Sequence, residues 1–166
     1  MAELADLLTF DEFLTHWGSE RRDLLAMREE DRFWSYGQME DRTARVASML
    51  LGAGLKKGDR VCWIGKNSDI YFTLFYGAAR AGIVMAPIGW RLAAPEWAYI
   101  VNDTQSKIVF TGPGFESAEE ALKPYLTNNP RFIGEQEAHK LVETTERVDF
   151  TAAGPDVFLT ADLYHM

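Results

Sequence analysis

The sequence is poor in the features that mark several large classes of protein. It has one cysteine, Cys62, so no disulfide can form within the chain. Lysine and arginine number 17 against 25 aspartates and glutamates, and this net charge of -8 disfavours a polyanionic partner such as nucleic acid. No apolar run approaches the about 18 residues of a membrane span, and the acidic start Met1–Asp6 lacks the basic residues of a signal peptide. We therefore expect a cytoplasmic protein without a membrane span and without a nucleic-acid partner.

The composition is that of an ordinary globular domain. Apolar residues make up 47% of the chain and charged residues 25%. The length of 166 residues fits a single domain.

The pattern is clearest in Gly54–Phe110, where strand-length apolar runs alternate with helix-length segments. Val61–Ile64 is a short apolar run, as in a strand buried on both faces. Ser68 is a good N-cap for a helix over Ile70–Ala81, and Ile83–Ile88 follows as the next strand. Strand, helix and strand with short joins predict a parallel crossover unit.

Local signals place further elements on both sides of this unit. Thr9 and Glu12 form a capping-box pair, and Ser35 and Gln38 form another at the start of a long helix. The predicted elements are a helix over Thr9–Trp17 stopped by Gly18, a hairpin of Asp23–Met27 and Arg32–Tyr36, the helix after Ser35, a short helix over Trp97–Val101 led by Pro95, a strand at Lys107–Phe110, a helix over Glu116–Leu126, a strand at Arg131–Gly134, a weakly patterned connection over Glu135–Pro155 with the alternative of a partly helical stretch around Ala138–Val142, and a last apolar run at Val157–Leu159.

The long helix after Ser35 has a predicted buried stripe and a predicted solvent-exposed face. The stripe consists of Thr43, Val46, Ala47, Leu50 and Leu51. On the solvent-exposed face we expect Asp41 to pair with Arg45, and we place Arg42 there as well.

Several segments resemble, in order, the N-terminal part of a known family. They are Phe33-Trp34-Ser35-Tyr36, Gly54-Leu55-Lys56-Lys57-Gly58-Asp59-Arg60-Val61, Asn67-Ser68, Ala81-Gly82, Pro87, Trp90-Arg91-Leu92, Glu96, Tyr99-Ile100 and Asp103. Together they resemble the AMP-forming acyl-CoA synthetases of the adenylate-forming superfamily. One position departs from the family pattern, because Gly89 stands where an Asn usually precedes Trp-Arg-Leu.

The resemblance implies a reaction and its cofactors for the full-length family. Such enzymes join a carboxylate to ATP, form an acyl-adenylate and transfer the acyl group to CoA, using ATP, Mg and CoA. In the family, a run like Asp156–Leu159 leads to Leu-Tyr and then to a Ser/Thr/Gly-rich loop that holds the phosphates. Here Leu163-Tyr164 is followed by His165-Met166. We therefore expect an N-terminal portion that ends before this loop and that cannot bind a cofactor alone.

The expected fold is α/β, a mostly parallel sheet flanked by helices, an N-terminal subdomain fragment of the adenylate-forming fold, with residues 1–166 as one partial AMP-binding domain. The predicted function is that of an N-terminal fragment of an acyl-CoA ligase for a fatty acid or other carboxylate, inactive alone. The alternative is a stand-alone module that binds a small apolar acid or a partner protein. The expected partners are a small carboxylic acid in the full-length family and, for this chain, a second copy or the C-terminal portion of the enzyme.

Residue by residue, the sequence predicts no catalytic, cofactor-binding or metal-binding residue, and the substrate-binding residues stay unknown. Gly65-Lys66 hints at a Walker A loop, but Arg60 and Asn67 occupy positions that the motif reserves for Gly and Ser/Thr. Glu135, Glu137 and His139 alternate as three ligands on one strand face would, although a solvated charged loop is the interpretation we favour.

The remaining candidates have an ordinary structural interpretation beside the functional one. His16 and His165 lack a second ligand at metal spacing, and we expect Cys62 to be an inert core thiol. Trp90-Arg91 follows a strand end, where α/β sheets bind ligands, but an Arg that ties the loop down is the favoured alternative. Phe72, Phe75 and Tyr76 are expected to be core residues rather than an acyl tunnel.

Overall fold

The structure, a computed structural model, describes residues 9–148. In chain order its elements are α1 (Phe10–Glu20), β1 (Leu25–Glu29), β2 (Arg32–Ser35), α2 (Tyr36–Gly52), β3 (Arg60–Ile64), α3 (Asp69–Arg80), β4 (Val84–Ile88), α4 (Ala94–Asp103), β5 (Ile108–Thr111), α5 (Ala118–Leu122), β6 (Arg131–Gly134) and α6 (Glu135–Thr144). The run Val157–Leu159 lies outside the described residues.

A parallel sheet with the strand order β4-β3-β5-β6 forms the centre of the fold. Strand β3 pairs with β4 on one side and with β5 on the other, and β5 pairs with β6. The hairpin of β1 and β2 is a separate antiparallel pair. The predicted α/β class and the parallel crossover unit are therefore confirmed.

Helices cover both faces of the sheet, which explains why its strands are apolar on both faces. On one face, residues of α2, α3 and α6 pack with Val61, Trp63 and Phe110. On the other face, α4 and α5 pack with Cys62, Ile64 and Val109 through a second apolar cluster.

Short-range signals determine where the helices begin. The Thr9 hydroxyl accepts a hydrogen bond from the Glu12 amide while the Glu12 carboxylate accepts from the Thr9 amide, as predicted. Ser35 and Gln38 repeat this capping box at α2. Ser68 caps α3 by accepting from the amide of Tyr71.

Two glycines allow close approach or an unusual backbone. Gly82 follows α3 with φ of +71°, a conformation that other residues seldom adopt. Gly77 lies where α3 meets α2, and a Cβ atom there would be 2.3 Å from Cβ of Val46. The two helices are thus in contact through a residue without a side chain.

Four expectations about local structure were wrong. Helix α1 continues through Gly18 to Glu20, because Gly18 packs against Cβ of Glu40, where a side chain would not fit. Helix α5 is much shorter than Glu116–Leu126, since a 3-10 turn with Pro124 follows it at Lys123–Tyr125. Residues Glu135–Thr144, expected as a connection with at most a partly helical stretch around Ala138–Val142, form the full helix α6, whose Ala138 and Val142 are buried.

The fourth concerns the faces of α2. Leu51, assigned to the buried stripe, is 36% exposed, whereas Thr43, Val46, Ala47 and Leu50 are buried as predicted. Arg42, which we assigned to the solvent-exposed face, is only 6% exposed because Trp34 of the hairpin covers it. The predicted Asp41–Arg45 pair is present at 2.7 Å.

Candidate functional site at the carboxyl ends of the strands

The loops after the parallel strands meet at one edge of the sheet. Helix α3 leads from β3 to β4 on one face, whereas α4 leads from β4 past β3 to β5 on the other. Helix α5, which follows β5, lies on the same face as α4. The chain therefore leaves the neighbouring strands β3 and β5 toward opposite faces of the sheet. In open α/β sheets ligands bind outside the carboxyl ends of the strands at such a reversal. This edge is the candidate functional site.

Two facing glycines bring the loops after β3 and β5 into contact. A Cβ atom on Gly65 would lie 3.1 Å from Cα of Gly112 and 2.9 Å from the ring of Trp63. The indole of Trp63 is buried beneath them, and its Nε1 has no hydrogen-bond partner among the described residues. The edge is therefore closely packed at this point.

A cluster of cations and aromatic rings lies at the same edge. The Trp90 ring carries the Arg91 guanidinium at 4.1 Å and the Lys66 ammonium at 5.2 Å from its centroid. Phe115 contacts Trp90 edge-on. These contacts hold Trp90, in the loop after β4, against the side chains of Lys66, Arg91 and Phe115. The structural and the ligand-binding alternatives for Arg91 both stay predictions.

A second polar cluster surrounds Asp69 at the first turn of α3. Its carboxylate accepts hydrogen bonds from Arg32 Nε at 2.9 Å, Trp34 Nε1 at 2.9 Å and the Ile70 amide at 2.7 Å. The Asp69 amide donates to the Glu29 carboxylate at 2.6 Å. The hairpin is thereby joined to the start of helix α3 through one buried carboxylate.

The environment of Asp69 favours its charged form. Burial alone would raise the pKa of this carboxyl, but the hydrogen bonds from Trp34 and Arg32 and the charge of Arg32 outweigh burial and lower the pKa from 3.8 to about 2. The same ion pair raises the pKa of Arg32. Asp69 is therefore a charged structural anchor at neutral pH.

Glu135 and His139 of α6 approach the same carboxylate. Ligand atoms of Asp69, Glu135 and His139 lie within 4.8 Å of one another. The sequence suggested Glu135, Glu137 and His139 as three ligands on one strand face, and the structure has a different arrangement. Glu135 and His139 share a face of helix α6 because they are four residues apart, whereas Glu137 pairs with Arg131 at 2.7 Å.

The donor set around these three residues fits an ion-pair network better than a metal ion. Arg42 Nη2 lies 3.3 Å from His139 Nδ1, and because arginine only donates, a hydrogen bond between them requires Nδ1 as the acceptor and leaves the ring proton to Nε2. That nitrogen, 3.7 Å from the Asp69 carboxylate, is the one that a metal would need unprotonated. Arg32 already occupies the carboxylate.

The start of α3 is also unsuited to a phosphate. The amide of Asp69 is bonded to Glu29, the amide of Tyr71 to Ser68, and a buried carboxylate stands at this terminus. A phosphate loop needs free amides there. Gly65-Lys66 is thus part of a plain turn from strand to helix.

The comparisons with known proteins agree with this architecture. The family described as AMP-binding enzyme matches residues 14–162, which is most of the chain. The chain belongs to the AMP-binding enzyme family.

Relatives within the AMP-binding family are ligases of fatty acids and other acids. The chain is 46% identical over 89 residues to the long-chain-fatty-acid–CoA ligase FadD13 of Mycobacterium tuberculosis, covering 54% of this chain and 18% of that protein. It is 37% identical over 93 residues to the fatty acid–[acyl-carrier-protein] ligase ScoC of Streptomyces coeruleorubidus, covering 56% of this chain and 18% of that protein. The chain thus matches under a fifth of these relatives.

Solved structures place the likeness in the N-terminal domain of the family. The N-terminal domain of FACL13 from Mycobacterium tuberculosis matches 88% of this chain and 38% of its own length, with a TM-score of 0.78 and 30% identity. The anthranilate CoA ligase AuaEII matches 92% of this chain and 30% of its own at 20% identity, with a TM-score of 0.81, and shows the fold alone. The chain corresponds to a part of the N-terminal domain of AMP-binding ligases.

The other candidate residues have local explanations in this AMP-binding fold. Cys62 is buried and contacts the Ser106 hydroxyl at 3.0 Å, and burial raises the pKa of its thiol, as expected of an inert core residue. His16 packs against Trp17. His165 lies outside the described residues. The rings of Phe72, Phe75 and Tyr76 stack along α3, half-buried beside α1.

The Asp69 network is the main feature that the sequence did not predict. An aspartate in a first helical turn is favoured by the helix dipole alone, so its spacing gives no sign of a wider network. Arg32 and Asp69 are 37 residues apart, and Arg42 and His139 are 97 apart. Only the docking of the hairpin and of α6 brings them together.

Proposed function

We propose that the chain supplies the first part of the N-terminal scaffold of an ATP-dependent, AMP-forming acyl-CoA ligase for a fatty acid or another carboxylate. In that reaction the carboxylate attacks the α-phosphate of ATP, pyrophosphate leaves, and the acyl-adenylate then transfers its acyl group to the CoA thiol with release of AMP. ATP, Mg and CoA belong to the whole enzyme. The role of residues 1–166 is to form one partial AMP-binding domain in the cytoplasm.

The observation that carries this proposal is the agreement between family match and fold. The match extends over residues 14–162, and the parallel sheet with its covering helices superposes on the FACL13 N-terminal domain. The Asp69 carboxylate at the carboxyl edge is occupied by Arg32 and Trp34. This arrangement supports a scaffold role for this part of the fold.

A chimera tests the scaffold role. The part of the Mycobacterium tuberculosis fatty acyl CoA synthetase that superposes on this chain is replaced by the matching residues of this chain, and ATP–pyrophosphate exchange is measured with a long-chain fatty acid. We expect exchange well above the no-protein background. The control chimera carries Gly77→Leu, which closes the contact between α2 and α3, and it should lose exchange. A chimera that unfolds cooperatively and has no exchange would contradict the proposal.

We further propose that the isolated chain associates with a second copy or with the remaining part of such an enzyme. Within residues 9–148 both outer strands, β4 and β6, have a strand neighbour on one side only. Leu24, Leu25 and Phe33 of the hairpin region are more than half exposed. Open strand edges and apolar patches promote association. Sedimentation over a concentration series should show mass increasing with concentration, and a dilution-independent monomer would oppose this view.

In the described part of the chain, no helix combines the length and the apolar character needed to cross a bilayer.

A further inference from the structure

A polar cavity lies beside the first turn of α2, and Trp34 and Arg42 connect it to the network around Asp69. Its volume is about 530 Å³. The cavity is lined by the hairpin and by α2, and its charged lining residues are Arg22, Asp23, Asp41 and Arg42. A cavity of this size, lined by two cations and two carboxylates, has room for a small polar ligand.

Arg42 is the unusual member of this lining. Its side chain is 94% buried, yet no carboxylate of residues 9–148 comes within 4.0 Å of it in an ion pair. Its guanidinium stacks on Trp34 at 3.9 Å, and Nη2 faces His139, but Nε has no hydrogen-bond partner. Burial lowers the pKa of this group, and the more distant charges of Asp69, Glu143 and Asp41 raise it by less than burial lowers it. A buried arginine is ordinarily paired with an anion.

The other groups around the cavity define what it can accept. The first amides of α2 are already bonded: Tyr36 to the carbonyl of Leu24, Gly37 to that of Arg22, and Gln38 to the Ser35 hydroxyl. A ligand would therefore be held by guanidinium groups rather than by the helix terminus.

The acidic residues limit the charge of the ligand. Asp41 is neutralised by Arg45 at 2.7 Å. Asp23 remains as a negative charge in the lining and disfavours a polyanion. Arginine pairs well with a planar or tetrahedral oxyanion through parallel N–H donors.

We propose that this cavity binds a compact oxyanion of low charge, a carboxylate or a phosphate group, through Arg42 and Arg22. The ligand supplies the hydrogen-bond acceptor that the buried Arg42 Nε lacks, and a negative charge in direct contact with the guanidinium. Arg22, which is exposed, contributes a second cation from the segment before β1.

The proposal is tested by nuclear magnetic resonance of the arginine Nε–H groups in the intact chain. Sodium acetate and sodium phosphate are titrated separately against chloride at constant ionic strength. The Arg42 Nε–H signal, assigned with Arg42→Lys, should move saturably with at least one of the two anions. Acetate alone identifies a carboxylate site, and phosphate alone a phosphate site. A linear or absent shift with both anions overturns the proposal.

Two matched variants locate the binding. Arg22→Gln removes a cavity charge without disturbing the backbone bond to Gly37, and it should raise the dissociation constant at least about fivefold. Arg28→Gln removes an exposed charge outside the cavity and should change the constant by less than about twofold. Equal effects of the two variants would show general charge attraction and would overturn the site. Circular dichroism confirms that both variants are folded.

Discussion

Trp34 Nε1 donates a hydrogen bond of 2.9 Å to the carboxylate of Asp69, and this bond joins the hairpin to the start of helix α3. The same carboxylate accepts from Arg32. Because Asp69 is almost fully buried and has several donors around it, its loss leaves polar groups without partners.

The substitution Asp69→Ala should therefore destabilise the fold by about 2–4 kcal/mol. The matched control is Asp41→Ala, which removes an exposed i,i+4 partner of Arg45 and should cost within about 0.5 kcal/mol. Urea unfolding measures both. Equal midpoints for the two variants would show that the Asp69 network does not stabilise the protein.

The same carboxyl gives the stability a predicted pH dependence. Folding lowers the pKa of Asp69 from 3.8 to about 2, so its contribution is present above pH 3.8 and is lost as the pH falls toward 2. The lost contribution is about 2 kcal/mol. Unfolding free energies between pH 5 and pH 2 should thus decrease more steeply for the native chain than for Asp69→Asn. Parallel curves would contradict this assignment.

The two sides of α2 give a prediction about packing. Leu50 is 1% exposed, and Leu50→Ala should cost about 2–5 kcal/mol because it leaves a cavity. The neighbouring Leu51 is 36% exposed, and Leu51→Ala should cost less than about 1 kcal/mol. Thermal melting distinguishes them, and a larger shift for Leu51→Ala would mean that the helix faces are misassigned.

The contact between α2 and α3 depends on Gly77. A Cβ atom at this position would overlap the side chain of Val46 and approach the Thr43 carbonyl at 2.9 Å, so Gly77→Ala should destabilise by about 1–3 kcal/mol. Gly52, at the end of α2, has open space around the same position. There Gly→Ala should be neutral or stabilising by about 0.5 kcal/mol. A neutral Gly77→Ala would show that the helices are not in such close contact.

Features set by neighbouring residues could be predicted from the sequence, and features set by distant ones could not. Thr9 with Glu12 and Ser35 with Gln38 predicted helix starts because a capping box lies within four residues. Arg42 was assigned to the wrong face because no local pattern shows that Trp34 of the hairpin covers it.

Helix α6 illustrates the same limit. Its polar sequence gives a weak local signal, and its Ala138 and Val142 become a buried stripe only against the sheet and α2. The Asp69 network likewise depends on docking of the hairpin and of α6. The family resemblance could be seen early because its motifs lie along one continuous stretch of chain.

The most direct test of the account is the activity of the isolated chain. Pyrophosphate release is measured with ATP, Mg²⁺ and a panel of carboxylic acids, with a no-protein reaction as the control. The scaffold role predicts release equal to that control, because the amides and carboxylates at the strand ends are bonded to one another. Release well above the control with any of the acids would contradict the account.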